Sequence, residues 1–445
     1  MTEAQSAATL AIFAAVILAI ALDWLETVVA GLVGVSALLA LGILEGRDVL
    51  AAFEGCGGAL ALLFGGMIVA RVLASTGLFE RLGDLFLRAT GGSGRRYLLG
   101  VVAVVAPLCA FLPNATTMLL VAPILIRSAR ALGVDFVGPL VLAAIVSNTA
   151  GLLTLVGDPA TFLVGSAIGM SFGEYLRRVC LGGLAALLVL VPTLPLLFRE
   201  TWRLRRELPP DRPLAPIARP AFAALAIAVL GAMLVLFVFG DRLPSHIVPP
   251  GVAVIAASLA LLVVYSFRVE SVESVLRDVD WRTLLFIACM FCMVQALTRT
   301  GLVEGGALAL HARFGAALVP VALLLLAGVG LLSGLLANIP VVAAALLLAK
   351  GYLVTAEVVP EAALGRAFAA WPDSTLPVFV AMMFGATLGG NATLIGASAN
   401  LVAAGICARE GEPLRFGRFL RYGAPLTLLQ LAVAALYVLV LFRIG

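Results

Sequence analysis

Apolar runs of about 18–22 residues, almost free of charged side chains, recur along most of this chain. A run of that length, coiled as an α-helix, crosses the ~30 Å hydrocarbon core of a bilayer. Of the 445 residues 62% are hydrophobic and only 12% are charged, which leaves too little polar surface for a soluble protein of this size. The sequence therefore predicts an all-α membrane protein that crosses the bilayer many times.

Ten segments are predicted to span the membrane. They are 7–24, 27–45, 55–75, 137–169, 178–198, 220–240, 248–266, 282–298, 374–406 and 422–443. Two further apolar stretches, 98–127 and 316–349, are interrupted near their middles at Pro113-Asn114 and at Asn338-Ile339-Pro340. Each arm is expected to have only about 14 residues, too few to cross. Both stretches are therefore predicted to be re-entrant helical hairpins whose tips are buried in protein.

Arginine-rich loops predict the orientation. Arginines precede and follow the first hairpin, fill the segment 199–219 and precede the last span. Because such loops remain in the cytoplasm, every span then alternates consistently and both termini lie outside. The first hairpin enters from the cytoplasm and the second from outside. We expect a multi-pass protein of the bacterial inner membrane. The net charge of +4 lies in short loops between apolar runs and does not indicate a nucleic-acid partner.

Three segments of the first half match three segments of the second half in the same order. The pairs are Thr76–Glu80 with Thr300–Glu304, Leu112–Ala115 with Leu336–Ile339, and Thr154–Thr161 with Thr393–Asn400. Together with the opposite orientations of the hairpins, they predict two inverted repeats, each of five spans plus one re-entrant hairpin. The first repeat is 1–198 (hairpin 98–127, broken helix 137–169), the cytoplasmic linker is 199–219, and the second repeat is 220–445 (hairpin 316–349, broken helix 374–406).

Two of the predicted spans contain a polar break. The first break runs from Ser147-Asn148-Thr149 to Gly157-Asp158-Pro159, and the second from Gly389-Gly390-Asn391 to Gly396-Ala397-Ser398. A break at membrane depth exposes orphan carbonyls on one side and orphan amides on the other, and such ends bind ions. The alternative is that these small and polar residues only let helices pack closely. Two matched breaks beside two matched hairpin tips favour a binding site.

The predicted substrate- or ion-binding residues come from the tips and the breaks. They are Asn114, Ala115, Thr116, Thr117, Asn148, Thr149, Gly157, Asp158, Asn338, Asn391, Thr393, Gly396, Ser398 and Asn400. Of these, Asn114, Asn148, Asn338 and Asn391 are the candidates for a sodium site. No cofactor is expected other than sodium or a proton as coupling ion. A carboxylate such as Asp158 inside a span is by default functional, although Asp before Pro also suits a helix N-cap, and both roles are compatible.

At these residues the chain resembles the ion transporter superfamily, in the branch of arsenical pumps, sodium/proton antiporters and the melanosomal P protein. The resemblance lies in Ala110–Leu120, Asn148–Asp158 and Gly389–Asn400. It implies a homodimer in which each chain has a scaffold domain and a mobile transport domain that moves in an elevator-like manner. It also implies a substrate site between the hairpin tips and the two broken helices.

The chain departs from this branch at both tips. Sodium/proton antiporters and P protein relatives usually carry an aspartate before the tip asparagine, whereas Pro113 and Ala337 stand there. Asp158 is then the only obvious titratable anion left near the site. The sequence therefore predicts a secondary transporter, not an enzyme, for a small inorganic anion, an oxyanion or a neutral metalloid acid. Sodium/proton antiport through Asp158 is the main alternative, and a passive channel is another. The expected partners are the substrate, the lipid bilayer and a second copy of the chain.

Overall fold

The structure is a computed structural model that describes residues 3–22, 24–206, 217, 219–365, 368 and 370–444. Within these ranges the regular structure is entirely helical, without β-strands. The first half contains α1 (Glu3–Ala21), α2 (Thr27–Ala40), α3 (Gly46–Ala74), α4 (Leu78–Thr90), α5 (Gly94–Cys109), α6 (Asn114–Leu132), α7 (Val137–Ala150), α8 (Pro159–Ala167), α9 (Phe172–Arg178), α10 (Cys180–Leu188), α11 (Leu194–Leu197) and α12 (Arg199–Arg203).

The second half has the same succession of long and broken helices. It contains α13 (Pro220–Phe239), α14 (Pro249–Phe267), α15 (Val272–Arg277), α16 (Trp281–Arg299), α17 (Leu302–Phe314), α18 (Leu318–Leu335), α19 (Asn338–Thr355), α20 (Leu376–Gly389), α21 (Ser398–Arg409) and α22 (Phe416–Ile444). Short 3₁₀ turns occupy Gly151–Leu153, Val191–Thr193, Gly240–Arg242, Glu361–Leu364 and Asp373–Thr375. Ten helical segments of the described chain are long and apolar enough to cross a membrane, so the predicted multi-span helical fold is confirmed.

The two hairpins are present, but their arms are longer than expected. Helices α5, α6, α18 and α19 have 16, 19, 18 and 18 residues, so the expected length of about 14 is wrong. The hairpins extend over 94–132 and 318–355, whereas 98–127 and 316–349 were predicted, so the first is longer at both ends and the second at its C-terminal end. The reason is that α6 continues through Arg127 and Arg130, where hydropathy falls while backbone hydrogen bonding persists. Long arginine side chains allow this because their heads reach water.

The predicted span 178–198 is also interrupted. Helix α10 ends at Leu188, a 3₁₀ turn follows at Val191–Thr193, and α11 resumes at Leu194. Pro192 and Pro195 supply no amide hydrogen for a continuous helical ladder, which explains the break.

The two broken helices run in opposite directions. Asp135, just before α7, pairs with Arg418 near the start of α22, shortly after α21 ends. At the other end, Arg178 follows α8 and pairs at 2.6 Å with Asp373, just before α20. The start of the first broken helix therefore lies beside the segment that follows the second. The start of the second broken helix lies beside the segment that follows the first. This is the antiparallel arrangement that inverted repeats require.

Equivalent helices make equivalent contacts in the two halves. Helix α5 packs on α7 as α18 packs on α20, while α6 packs on α21 as α19 packs on α8. The Thr154 hydroxyl donates to the carbonyl of Ala110, and its counterpart Thr393 donates to the carbonyl of Gly334. Each helix break is thus hydrogen-bonded to the end of the hairpin arm in its own half.

The helices before each hairpin form a second packed group. Helix α3 packs on α14 and α16, and α16 also packs on α2. Arg71, near the end of α3, pairs with Glu270 at 2.8 Å and with Asp278 at 2.6 Å. Arg299, at the end of α16, pairs with Glu45 and Asp48. These ion pairs fix the C-terminal end of α3 to the residues on either side of α15, and the C-terminal end of α16 to the start of α3. A division into scaffold and transport domains stays a prediction.

The arginine-bearing loops meet at one end of the bundle, which we name the arginine-rich end. The amide of Gly94 donates to the carbonyl of Leu204 at 3.0 Å, joining the first hairpin to the start of the predicted linker. Arg130 pairs with Glu410 at 2.6 Å. Which membrane face this end occupies stays a prediction. Of the predicted linker 199–219, positions 207–216 and 218 lie outside the described residues.

Candidate functional site

Four helix N-termini meet where the hairpin tips contact the breaks. They belong to α6, α8, α19 and α21. Three of them have no side-chain cap, because the residues at the cap position are Pro113, Ala337 and Ala397. Their first amides are therefore not satisfied by a cap side chain. An uncapped helix N-terminus presents N–H groups and the positive end of the helix dipole to whatever lies in front of it.

The fourth N-terminus is capped by Asp158. Its Oδ2 atom accepts hydrogen bonds from the amides of Ala160 at 3.1 Å and Thr161 at 3.3 Å, and from the hydroxyl of Thr387 at 3.3 Å. Thr387 lies on α20, so this carboxylate joins the breaks of the two halves. Asp158 is 4% exposed, and its negative charge is offset locally by the N-terminus of α8.

Asn148 lies at the centre of a buried amide network. Its Nδ2 donates to Asn391 Oδ1 at 3.1 Å and to Asn400 Oδ1 at 3.3 Å, and its Oδ1 accepts from Asn114 Nδ2 at 3.3 Å. Asn400 Nδ2 in turn donates to the carbonyls of Gly390 and Thr393, both at 2.8 Å. One asparagine therefore joins the first hairpin tip, the first break and the second break.

Gln430 of α22 extends this network, and sequence reasoning missed it. Asn391 Nδ2 donates to Gln430 Oε1 at 2.9 Å and to Thr149 Oγ1 at 3.0 Å. Gln430 Nε2 donates to Thr149 Oγ1 at 2.8 Å and to the carbonyl of Ala186 at 3.0 Å. The available signal was a lone amide side chain inside the apolar span 422–443, since polar residues within spans are costly and functional by default.

The two hairpin tips differ chemically. Asn114 Oδ1 is buried and has no hydrogen-bond partner in the described chain. The equivalent oxygen of Asn338 accepts a hydrogen bond of 2.6 Å from the hydroxyl of Ser333. A Cβ placed on Gly390 would lie 2.8 Å from that same Asn338 oxygen, so Asn338 packs against its own break. Of the four sodium candidates, Asn114, Asn148 and Asn391 share hydrogen bonds, whereas Asn338 adjoins this network by packing on Gly390, whose carbonyl accepts from Asn400.

Gly157 and Gly396 occupy equivalent tight positions. A Cβ on Gly157 would lie 3.0 Å from the carbonyl oxygens of Cys109 and Ala110, and one on Gly396 would lie 3.0 Å from that of Ser333. Any larger residue would push the hairpin arm away from the break. Glycine is needed here for close backbone approach.

The remaining predicted residues vary in exposure. Ala115 and Thr117 are buried on α6, where the Thr117 hydroxyl has no partner among the described residues. Thr116 is half-buried, and Ser398 is exposed at the start of α21. A cavity of about 20 Å³ lies beside Pro113 and Gly157, enough for one water molecule. The described ranges contain no cluster of three His, Cys, Asp or Glu residues that would hold a metal ion.

A many-span helical bundle with a buried polar site at two helix breaks is the architecture of a secondary membrane transporter. The family model described as CitMHS, citrate transporter, matches residues 17–371, and the chain belongs to this family.

Relatives and a solved structure agree with this class. The uncharacterized transporter slr0753 of Synechocystis is 41% identical over 431 residues, which cover 97% of this chain and 96% of the relative. The mouse P protein is 28% identical over 526 residues, covering 98% of this chain and 60% of the relative. The Alcanivorax borkumensis YdaH transporter has a similar fold, with a TM-score of 0.57 at 12% identity, covering 89% of this chain and 88% of that one. The resemblance to the ion transporter superfamily and its P protein branch is thereby confirmed.

Proposed function

We propose that this protein carries a small anion across the bacterial inner membrane, binding it between the hairpin tips and the helix breaks. The observation that carries the proposal is the meeting of three uncapped helix N-termini at one buried polar site. Free N–H groups and the positive ends of helix dipoles favour anions. Within the described site Asp158 is the one carboxylate, and it is already held by the N-terminus of α8.

The substrate class follows from this donor set. An inorganic oxyanion accepts hydrogen bonds from amide groups on several sides, and a neutral metalloid acid uses the same amide donors and acceptors. The family name adds citrate, a carboxylate anion that suits the same donors. We therefore propose a carrier for an oxyanion, a metalloid acid or a small carboxylate such as citrate.

A coupling ion has its best place in the first half. Asn114 Oδ1 is an unpaired buried acceptor, which is the kind of oxygen that a sodium ion or a proton-bearing group satisfies. In the second half, the Asn338 oxygen is already satisfied by Ser333, and Ala397 stands where the first half has Asp158. Sodium or proton coupling is therefore proposed for the first half alone.

Counterflow in proteoliposomes tests the transport of an anion. Vesicles containing purified protein are loaded with unlabelled citrate, arsenite, arsenate or phosphate, and uptake of the matching labelled solute is followed. Saturable counterflow is expected for at least one of them and is expected to be lost in Asn148→Ala. Ser147→Ala is the matched control, because that hydroxyl donates to the carbonyl of Ala144 in its own helix and takes no part in the asparagine network. Counterflow of none of these solutes, or equal counterflow in Asn148→Ala, would contradict the proposal.

Sodium/proton antiport through Asp158 is the second candidate function. The specific observation in its favour is a carboxylate joined to both breaks through Thr387 and the start of α8. In vesicles that hold a pH-sensitive dye, an imposed sodium gradient would then move protons, and Asp158→Asn would stop this movement. Sodium-driven proton flux without anion counterflow would favour sodium/proton antiport over anion transport.

We further propose an elevator-like movement. The hairpins, the broken helices, α10 and α22 pack on one another and would move together against α1–α3 and α13–α16. In a homodimer whose interface is formed by α1–α3 and α13–α16, these helices would stay fixed while the others move. A cysteine pair that joins α3 to α6 is expected to trap the protein in one state and stop transport, whereas a pair that joins α5 to α7 leaves transport unchanged.

A further inference from the structure

The two halves of the site are unequally covered. The matched segments relate the two halves position by position. By this correspondence, Leu119 of α6 is equivalent to Ala343 of α19, and Leu401 of α21 is equivalent to Phe162 of α8. Leu119 and Leu401 are 51% and 48% exposed, whereas Ala343 and Phe162 are 4% and 5% exposed. The bundle is therefore closed over α8 and α19 and open over α6 and α21.

The closed side has a simple cause. The ring of Phe162 approaches Gly58 on α3, whose added Cβ would lie 3.1 Å from it and 3.3 Å from Pro250 on α14. Helix α16 also packs on α19. On the open side, a groove of about 750 Å³ runs between α6 and α21. This volume suits a small-molecule ligand.

The groove leads from the arginine-rich end toward the candidate site. The face of α6 that lines it carries Leu119 and Pro123 and continues toward the site to Thr116, at the spacing of one helix face. On α21, Ile406 lines the groove, and the exposed Ser398 lies about two turns nearer the site, at the first position of the helix. Helices α6 and α21 run parallel, because Arg130 meets Glu410 at one end and Asn114 and Asn400 share Asn148 at the other.

The mouth of the groove carries Arg127, Arg130 and Arg409. Arg127 pairs with Asp84 at 2.9 Å and Arg130 with Glu410 at 2.6 Å. The guanidinium of Arg409 has no ion pair or hydrogen bond in the part of the chain that the structure describes. One unneutralised cation at the mouth of a cleft with apolar walls raises the local concentration of anions.

We propose that the groove between α6 and α21 admits anionic substrate to the site from the arginine-rich end, and that Arg409 recruits the anion at its mouth. This inference rests on the proposed anion transport, because it assigns that substrate its route. The occupant is the transported anion and not a lipid headgroup, since the α6 wall of the groove continues beyond Leu119, along the same helix face, to the polar residue Thr116.

Charged thiol reagents test the groove without a known substrate. Full-length Leu119→Cys and its matched control Ala343→Cys are reconstituted in liposomes and treated with methanethiosulfonates of similar size, one anionic and one cationic. Rates are normalised to those with free cysteine, and wild-type labelling is subtracted because six native cysteines are present. We expect labelling at position 119 and none at 343. The ratio of anionic to cationic rates at 119 is expected to fall about threefold or more in Leu119→Cys/Arg409→Gln.

Arg421→Gln is the control for general surface charge, because this exposed arginine lies at the same end outside the groove. It is expected to leave the rate ratio unchanged. Equal labelling at 119 and 343 would overturn the proposed one-sided access, and so would absence of labelling at 119, the result of a lipid-filled groove. A ratio unaffected by Arg409→Gln would overturn the role of Arg409. Labelling as expected without anion counterflow would instead refute the proposed function and leave the groove in place.

Discussion

The side-chain Nδ2 atom of Asn148 donates a hydrogen bond of 3.1 Å to the side-chain Oδ1 atom of Asn391, although the two residues lie 243 positions apart. Asn148 lies in the last turn of α7 and Asn391 just after the end of α20, so the bond ties the two breaks to each other. The buried side chain of Asn148 donates to two acceptors and accepts from one donor, so its replacement would leave some of these partners unpaired. The site is therefore a shared product of both halves.

Asn148→Ala is expected to reduce transport by at least about tenfold, because Asn114, Asn391 and Asn400 each lose a partner. Initial rates of counterflow in proteoliposomes measure the effect, and thermal unfolding in detergent shows whether the protein is folded. Rates within twofold of wild type would mean that the network does not form the site.

Gln430→Leu is expected to lower the free energy of unfolding by about 1–3 kcal/mol, because Asn391 and the Ala186 carbonyl lose their partner inside the bundle. Thr427→Val is the matched control on the same helix. The Thr427 hydroxyl is buried without a partner in the described chain, so an apolar residue of the same shape should be neutral or stabilising. Thermal unfolding of both variants makes the comparison, and equal losses of stability would contradict it.

Gly389→Ala is expected to separate α20 from α18 and to abolish transport. A Cβ at position 389 would lie 2.2 Å from the carbonyl oxygen of Gly330, a contact that only backbone movement can relieve. Gly328→Ala, on the facing helix α18, is the control, since its Cβ would meet no atom within 4 Å. Yield of folded dimer or monomer on gel filtration and counterflow are measured for both. A fully active Gly389→Ala protein would show that the helices are less closely packed.

Acid is expected to weaken the loop before α3. A hydrogen bond from Arg299 lowers the pKa of Glu45 below its usual value of 4.5. The stabilisation that the Glu45 carboxylate contributes is therefore complete above pH 4.5, where Glu45 is also ionised in the unfolded chain. This stabilisation is lost as the pH falls through the lower pKa that Glu45 has in the folded protein. The difference in unfolding temperature between wild type and Glu45→Gln should thus shrink as the pH falls below 4.5. A difference that grows on acidification would contradict this sign.

The spans were predictable because a long apolar run is a local property of the sequence. The inverted halves were predictable for a second reason, since Thr154 and Thr393 stand in matching segments and make matching bonds. The arm lengths were not, because α6 stays helical through Arg127 and Arg130, and hydropathy does not record backbone hydrogen bonding.

The partners of the site residues were harder to predict. Thr387 is the one polar side chain of α20, and Gln430 is the one amide side chain of α22. Their roles depend on Asp158 and Asn391, which belong to other elements of the fold. Ser333 is a similar case, because only the folded hairpin shows that its hydroxyl donates a hydrogen bond to the side-chain oxygen of Asn338. Sequence comparison of the halves marks such positions but does not show which side chains meet.

The single acid at the two breaks has a consequence for how such a chain arises. A lone half inserted in both orientations would assemble into a symmetric pair with two acids or with none. Here Asp158 faces Thr387 of the other half, while Ala397 occupies the place of the second acid. The halves have become unlike partners. Expressed as separate polypeptides, the first half should restore activity only with the second, and two copies of either half should not replace the pair.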